Sequence, residues 1–184
     1  MSRIRALPPA ELTPEQSALY SSITGGPRAQ GPQHFALTAE DGSLNGPFNA
    51  LLLSPGLGTV VQELGAAIRY RTELSARSRE IAILIVAAHW HSAFEQHAHE
   101  SVGRAVGLSE RELEALRSGS MPALSDPVER EIATLCRALV IGDVSDEHWD
   151  RARAVLDERT IFDLTTLVGY YAMLALQLRV FRVD

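Results

Sequence analysis

Apolar residues along this chain recur every three to four positions, the period of helices packed on one side. Leu57, Val60, Val61, Leu64 and Ile68 fall on one face of a helix opened by Ser54-Pro55. Upstream, Thr13-Pro14-Glu15-Gln16 marks a helix start: Thr13 caps, Pro14 suits the first turn and Gln16 reaches back. That helix ends by Gly25-Gly26-Pro27. The chain from there to Pro47 is rich in Gly, Pro, Gln and Ser and reads as a long loop or arm. It closes on the turn signal Asn45-Gly46-Pro47. Ser75 caps the next helix, whose segment from Ile81 to Ala88 is apolar all round and so reads as buried. Gly107 stops it. Ser109 with Glu112 and Asp126-Pro127 open two more helices, ending near Gly119 and Ile141. Ser145 begins another, and Thr160 caps a last one that runs to Phe181.

No stretch alternates with period two, and no heptad array or short repeat is visible. The pattern predicts an all-α protein, a compact bundle of about seven helices with an N-terminal arm. Residues 1–44 read as the N-terminal helix and arm, and residues 45–184 as the helical domain.

Composition narrows the function classes. The formal net charge is -6 and Lys and Arg are dispersed, so no basic stripe points to nucleic acid. One cysteine, Cys136, excludes an internal disulfide and a cysteine-rich metal site, and fits a cytoplasmic protein. The N-terminus lacks the apolar core of a signal peptide. The segment Ile161 to Phe181 contains Asp163, Gln177 and Arg179, and reads as a buried or subunit-interface helix rather than a membrane span.

The candidate chemistry lies between Arg79 and Glu100, which holds four of the six histidines. Drawn as one helix from Glu80 to His99, His91 falls about 20° from Glu80, Glu95 about 60° and His99 about 100°. His91, Glu95 and His99 then share a face with Glu80, while His89 and His97 point away. Glu80 beside an apolar helix is partly desolvated, which raises a carboxyl pKa toward neutrality. A nearby imidazole opposes that shift once protonated. Such a pair suits proton transfer. Plainer readings exist. Glu80 is also a favourable charge near a helix start. Glu95 and His99 are also an ordinary i,i+4 pair. Cys136 reads as a small buried residue. His91-x3-Glu95-x3-His99 is chemically sensible for a divalent metal, but it is not the His-Glu-x-x-His signature, and no metal is assigned.

At these residues the chain resembles the carboxymuconolactone decarboxylase and alkylhydroperoxidase D family, most strongly from Leu74 to Leu113. The thiol branch of that family carries a glutamate, a Cys-x-x-Cys twelve residues on, and a histidine four residues after the second cysteine. The same register here reads Glu80, Ser92-Ala93-Phe94-Glu95 and His99. Both cysteines are absent, and a serine cannot form a sulfenic acid or a disulfide. Phe94-Glu95 with His99, Arg79-Glu80-Ile81 and Gly107-Leu108-Ser109 are similar to the non-thiol branch, which includes the decarboxylase. The resemblance implies an alkylhydroperoxidase D-like helical fold and assembly into homotrimers or homohexamers. It also implies a lyase of aromatic catabolism that acts on a small carboxylated lactone or related acid with no cofactor. It makes Glu80, Glu95 and His99 the catalytic candidates. His91, Ser92, Phe48 and Asn49 are the candidate substrate contacts, the last two from the turn after Asn45. Arg69, Arg71 and Arg79 are the candidate cations for a substrate carboxylate. Arg79, next to Glu80, is expected on a different helix face. A peroxidase-like oxidoreductase and a non-catalytic ligand-binding or assembly protein are the competing readings. The arm before Leu44 suggests a subgroup with its own substrate.

Overall fold

The computed structural model describes residues 2–26, 30 and 35–183. The part of the arm at 27–29 and 31–34, read from the sequence as loop, lies outside them. Among the described residues there are nine α-helices and no strand, only one isolated antiparallel bridge between Thr38 and Leu44. The helices are α1 (Pro14–Thr24), α2 (Pro47–Leu51), α3 (Pro55–Tyr70), α4 (Ala76–Trp90), α5 (Ala93–Ala105), α6 (Glu110–Arg117), α7 (Pro127–Ile141), α8 (Asp146–Arg153) and α9 (Glu158–Phe181). The expected seven become nine for two reasons. The Asn-Gly-Pro turn continues into the short helix α2, and the helix expected from Ser75 to Gly107 is broken into α4 and α5.

The chain divides into two compact units, Met1–Arg71 with Leu176–Asp184, and Thr72–Ala175. In the first, α1 and α2 both pack on α3. The capping box at Thr13 and Gln16 forms as the sequence predicts. Gln16 Nε2 donates to the Leu52 carbonyl at 3.0 Å, and the Tyr20 hydroxyl donates to the Gly42 carbonyl at 2.9 Å. A Cβ on Gly58 would lie 2.4 Å from the Leu51 carbonyl oxygen, so glycine is what lets α3 start this close to α2. The α3 face predicted to be buried is divided. Val61 and Ile68 are buried, but Leu57, Val60 and Leu64 are 64%, 59% and 40% exposed.

In the second unit α4 packs against α5, α6 and α7. Ile81, Ala82, Ile83 and Leu84 are fully buried, as expected of a helix that is apolar all round. Ser109 with Glu112 and Asp126 cap α6 and α7 as predicted. The last helix differs: it starts at Glu158, and the Asp157 carboxylate accepts from the Thr160 N–H at 2.7 Å. Asp157 takes the capping role because a carboxylate is the stronger acceptor for first-turn amides. By length and composition α9 could cross a membrane, and 44% of its apolar window is buried inside the protein.

Arg77, in the first turns of α4, ties this unit together. Its Nε donates to Glu129 on α7 at 2.8 Å, and its other nitrogens reach Glu112 on α6 and the Gly107 carbonyl. Gly107 has φ +91°, the left-handed turn that joins α5 to α6. Arg77→Ala leaves two largely buried carboxylates facing one another without a cation. It is expected to lower unfolding stability by about 2 kcal/mol, less than a fully buried pair because the guanidinium is partly solvated. Urea denaturation measures this. An unchanged midpoint would remove Arg77 from this role.

Candidate active site

α4 ends where the sequence changes from apolar to polar. His91 takes the left-handed conformation, φ 52° and ψ 44°. Its N–H donates to the Ala88 carbonyl at 3.2 Å, and the Ser92 N–H donates to Ala87 at 2.9 Å. These two bonds satisfy carbonyls that a helix end leaves open, and they turn the chain so that α5 folds back on α4. The one-helix drawing is thereby corrected. In one continuous helix Glu80 and His99 would stand about 28 Å apart along the axis. Here His99 Nδ1 is 2.6 Å from Glu80 Oε2.

His99 links two carboxylates. Its Nε2 lies 3.3 Å from Glu95 Oε2, the i,i+4 neighbour on α5. Glu80, Glu95 and His99 are 0%, 4% and 4% exposed, so this is no surface ion pair. Burial by itself pulls the imidazole below its ordinary value. The charge and hydrogen bond of Glu80, then those of Glu95, outweigh burial and push His99 up to about 9. At neutral pH His99 is an imidazolium with both N–H groups directed at carboxylate oxygens. The Tyr171 ring, from α9, stands edge-on to it with centroids 5.3 Å apart. Arg79 Nε is 3.6 Å from Glu80 Oε1. Arg79 was expected on another face because adjacent helical residues diverge, but its long side chain reaches back to its neighbour. The cluster therefore holds two carboxylates, one imidazolium and one guanidinium.

The remaining candidates separate. Ser92 precedes α5 and is 5% exposed; its hydroxyl has no hydrogen-bond partner among the described residues and caps nothing. Ser92, Glu95 and His99 fall within about 60° on one face of α5. His91 does not join them: it is an exposed residue in the turn between the two helices. His89 and His97 are exposed as well. Phe48 and Asn49 belong to α2 in the first unit. Asn49 is occupied with the N-terminal segment, accepting from the Leu7 N–H at 3.3 Å and donating to the Arg5 carbonyl at 3.0 Å. Arg69 and Arg71 also lie in the first unit. Among the described residues no group of three His, Cys, Asp or Glu side chains is arranged to hold a metal ion. Cys136 is buried on α7, its Sγ 3.5 Å from the Ala82 carbonyl, and burial pushes its thiol well above the usual range. Tyr171 was missed by sequence reasoning. It follows His99 by 72 residues, and an apolar helix gives no sign of which ring will meet an imidazole.

A buried Glu–His–Glu cluster between two helices of an all-α unit defines a protein that can hold and transfer a proton. Residues 55–138, the segment from α3 into α7, match the model of the carboxymuconolactone decarboxylase family. Two solved structures of the debrominase Bmp8 share the fold. The apo form has a TM-score of 0.69 at 11% identity, covering 93% of this chain and 86% of that one. A cysteine-to-alanine variant in complex with 2,3,4-tribromopyrrole has a TM-score of 0.74 at 10% identity, covering 100% and 93%. No curated protein matches the chain.

Proposed function

We propose that this protein is a cofactor-independent acid–base enzyme of the decarboxylase type, acting on a small carboxylated lactone or related acid. The observation that carries this reading is the imidazolium of His99 held between Glu80 and Glu95. Glu80 is the innermost carboxylate and has no exposed surface, whereas the side chains of Glu95 and His99 keep 5% and 6%. Glu80 therefore anchors the charged imidazole, and Glu95 with His99 forms the end that reaches substrate. In the reaction, the bond from the ring carbon to its carboxylate breaks and carbon dioxide leaves. The electron pair stays on the conjugated ring, and the proton held by the His99 imidazolium, passed through Glu95, adds to that ring. A deeply buried acid–base pair is suited to this step because water is excluded and the proton is delivered at one position. The test is carbon dioxide release from 4-carboxymuconolactone and related carboxylated lactones by the purified protein. Absence of turnover across that panel would overturn the reading.

Thiol chemistry is disfavoured. The only cysteine is buried on α7 with a raised pKa, and the thiolate is the reactive form. Cys136→Ser is expected to leave turnover unchanged, and the native thiol is expected to resist alkylation until the protein unfolds. Loss of a peroxide-consuming or dehalogenating activity on that substitution would favour the oxidoreductase reading. A non-catalytic role draws on one observation: the cluster is almost sealed within the single chain.

We also propose self-association as a homotrimer or homohexamer, in the cytoplasm. Support comes from the stripe of Leu57, Val60 and Leu64 that α3 leaves exposed, spaced for one helix face. Leu57→Glu with Leu64→Glu is expected to lower the assembly to a smaller species, measured by light scattering. A wild-type monomer would remove the proposal.

A further inference from the structure

A second site is open to solvent and lies away from the acid–base cluster. A cleft of about 190 Å³ sits among the C-terminal ends of α4, α6 and α7. Its walls are apolar, from Ile85, Leu116, Val140 and Ile141, and its polar groups include His89 and Arg137. His89 is nine residues beyond Glu80 on α4, about 13 Å along the helix axis. Neither Glu95 nor His99 lines the cleft.

Arg137 is the informative residue. Its Nη1 donates to the Gly119 carbonyl at 2.7 Å, which holds the guanidinium in place. Arg77, Arg104, Arg117, Arg151, Arg153 and Arg159 each pair with a carboxylate. Arg137 pairs with none among the described residues, and no Asp or Glu lines the cleft. Five N–H donors in a rigid fork, one of them engaged, leave an edge suited to a bidentate carboxylate. The helix ends oppose this, since each C-terminus carries partial negative charge. The turns after Trp90, Arg117 and Ile141 take part of this charge, bonding the carbonyls of Ala87 and Ala88, Glu114 and Leu116, and Ala138 and Leu139. A helix end acts through partial charge that solvent screens, whereas a bidentate pair of charge-assisted hydrogen bonds is among the strongest polar contacts a side chain makes. The paired bonds to Arg137 outweigh the helix ends, which favour keeping the charge at the guanidinium and the apolar body against α4 and α7.

We propose that this cleft binds a small monocarboxylate with an apolar body, the carboxylate on Arg137 and the body against Leu116, Val140 and Ile141. The experiment is an NMR titration of the full chain with benzoate, benzamide and benzylamine in parallel. Benzoate is expected to give saturable shifts at Arg137 and Ile141, with a Kd of about 1 mM for so few contacts. Benzamide and benzylamine are expected to bind at least about tenfold more weakly, the loss of a charge-assisted pair. Arg137→Gln is expected to weaken benzoate by about the same factor. Ile141→Glu, a surface substitution that leaves the core intact, is expected to weaken it as well by repelling the anion. Glu95→Gln leaves this binding unchanged, so the result is read separately from the acid–base site. Tighter binding of benzylamine, equal binding of benzamide, shifts centred on His99 and Tyr171, or no saturable shift with benzoate would each overturn the proposal.

Discussion

Glu95→Gln and His99→Ala are each expected to lower turnover of a carboxylated lactone by about 10²–10⁴-fold, the contribution of a positioned general acid or base. Glutamine keeps the shape of Glu95 but cannot give up a proton at this position. Alanine at 99 removes the one group that links Glu95 to Glu80. The two losses are expected not to add, because the residues act as one proton path. Tyr171→Phe is the control: it preserves the ring packed edge-on against His99 and is expected to retain most activity. Steady-state rates for the single and double variants test this. Turnover near the wild-type rate for Glu95→Gln would exclude that carboxylate as the donor. Multiplying losses would separate the two residues into independent roles.

The second large effect is on stability against pH. The pKa of His99 is about 9 in the folded protein and about 6.5 in an unfolded chain. A raised folded pKa means the native state holds the proton more tightly. The contribution is therefore complete below about pH 6.5 and is lost as pH rises through about 9. The difference corresponds to about 3 kcal/mol for this buried group. Urea midpoints are expected to fall across that window in the wild type. In Glu80→Gln the fall is expected to shrink, because the larger of the two anionic contributions that hold the proton is gone and only Glu95 remains. That variant is also expected to be less stable at neutral pH by about 3 kcal/mol, since removing one carboxylate of a buried cluster leaves the imidazolium only partly compensated by Glu95. A flat wild-type profile from pH 6.5 to 9 would show that His99 is neutral in the folded protein.

Local signals carried most of the helical architecture. The boxes at Thr13 and Ser109 and the cap at Asp126 form as read, because first-turn amides need acceptors and these side chains supply them within three residues. The burial of Ile81 to Leu84 was equally legible, since a helix apolar on every side has to be enclosed. The division of α3 was not legible. Periodicity marks Leu57 and Ile68 alike as apolar, but which of them meets a neighbour within the chain depends on where α1 and α2 lie.

The Arg79 to Glu100 stretch divides in the same way. From the sequence alone came the residue types, the i,i+4 pairing of Glu95 with His99, and the absence of a thiol at Ser92 and Glu95. The tertiary structure decided which groups meet. Helical spacing placed His91 with Glu95 and His99, and it set Glu80 about 28 Å from His99 on a straight helix. The left-handed residue at His91 reverses the chain, removes His91 from the face and folds α5 onto α4, so that Glu80 and His99 close to 2.6 Å. Periodicity describes one helix at a time. The closing of two helices rests on a backbone angle at one residue and on the packing of α4 against α5, neither of which spacing encodes.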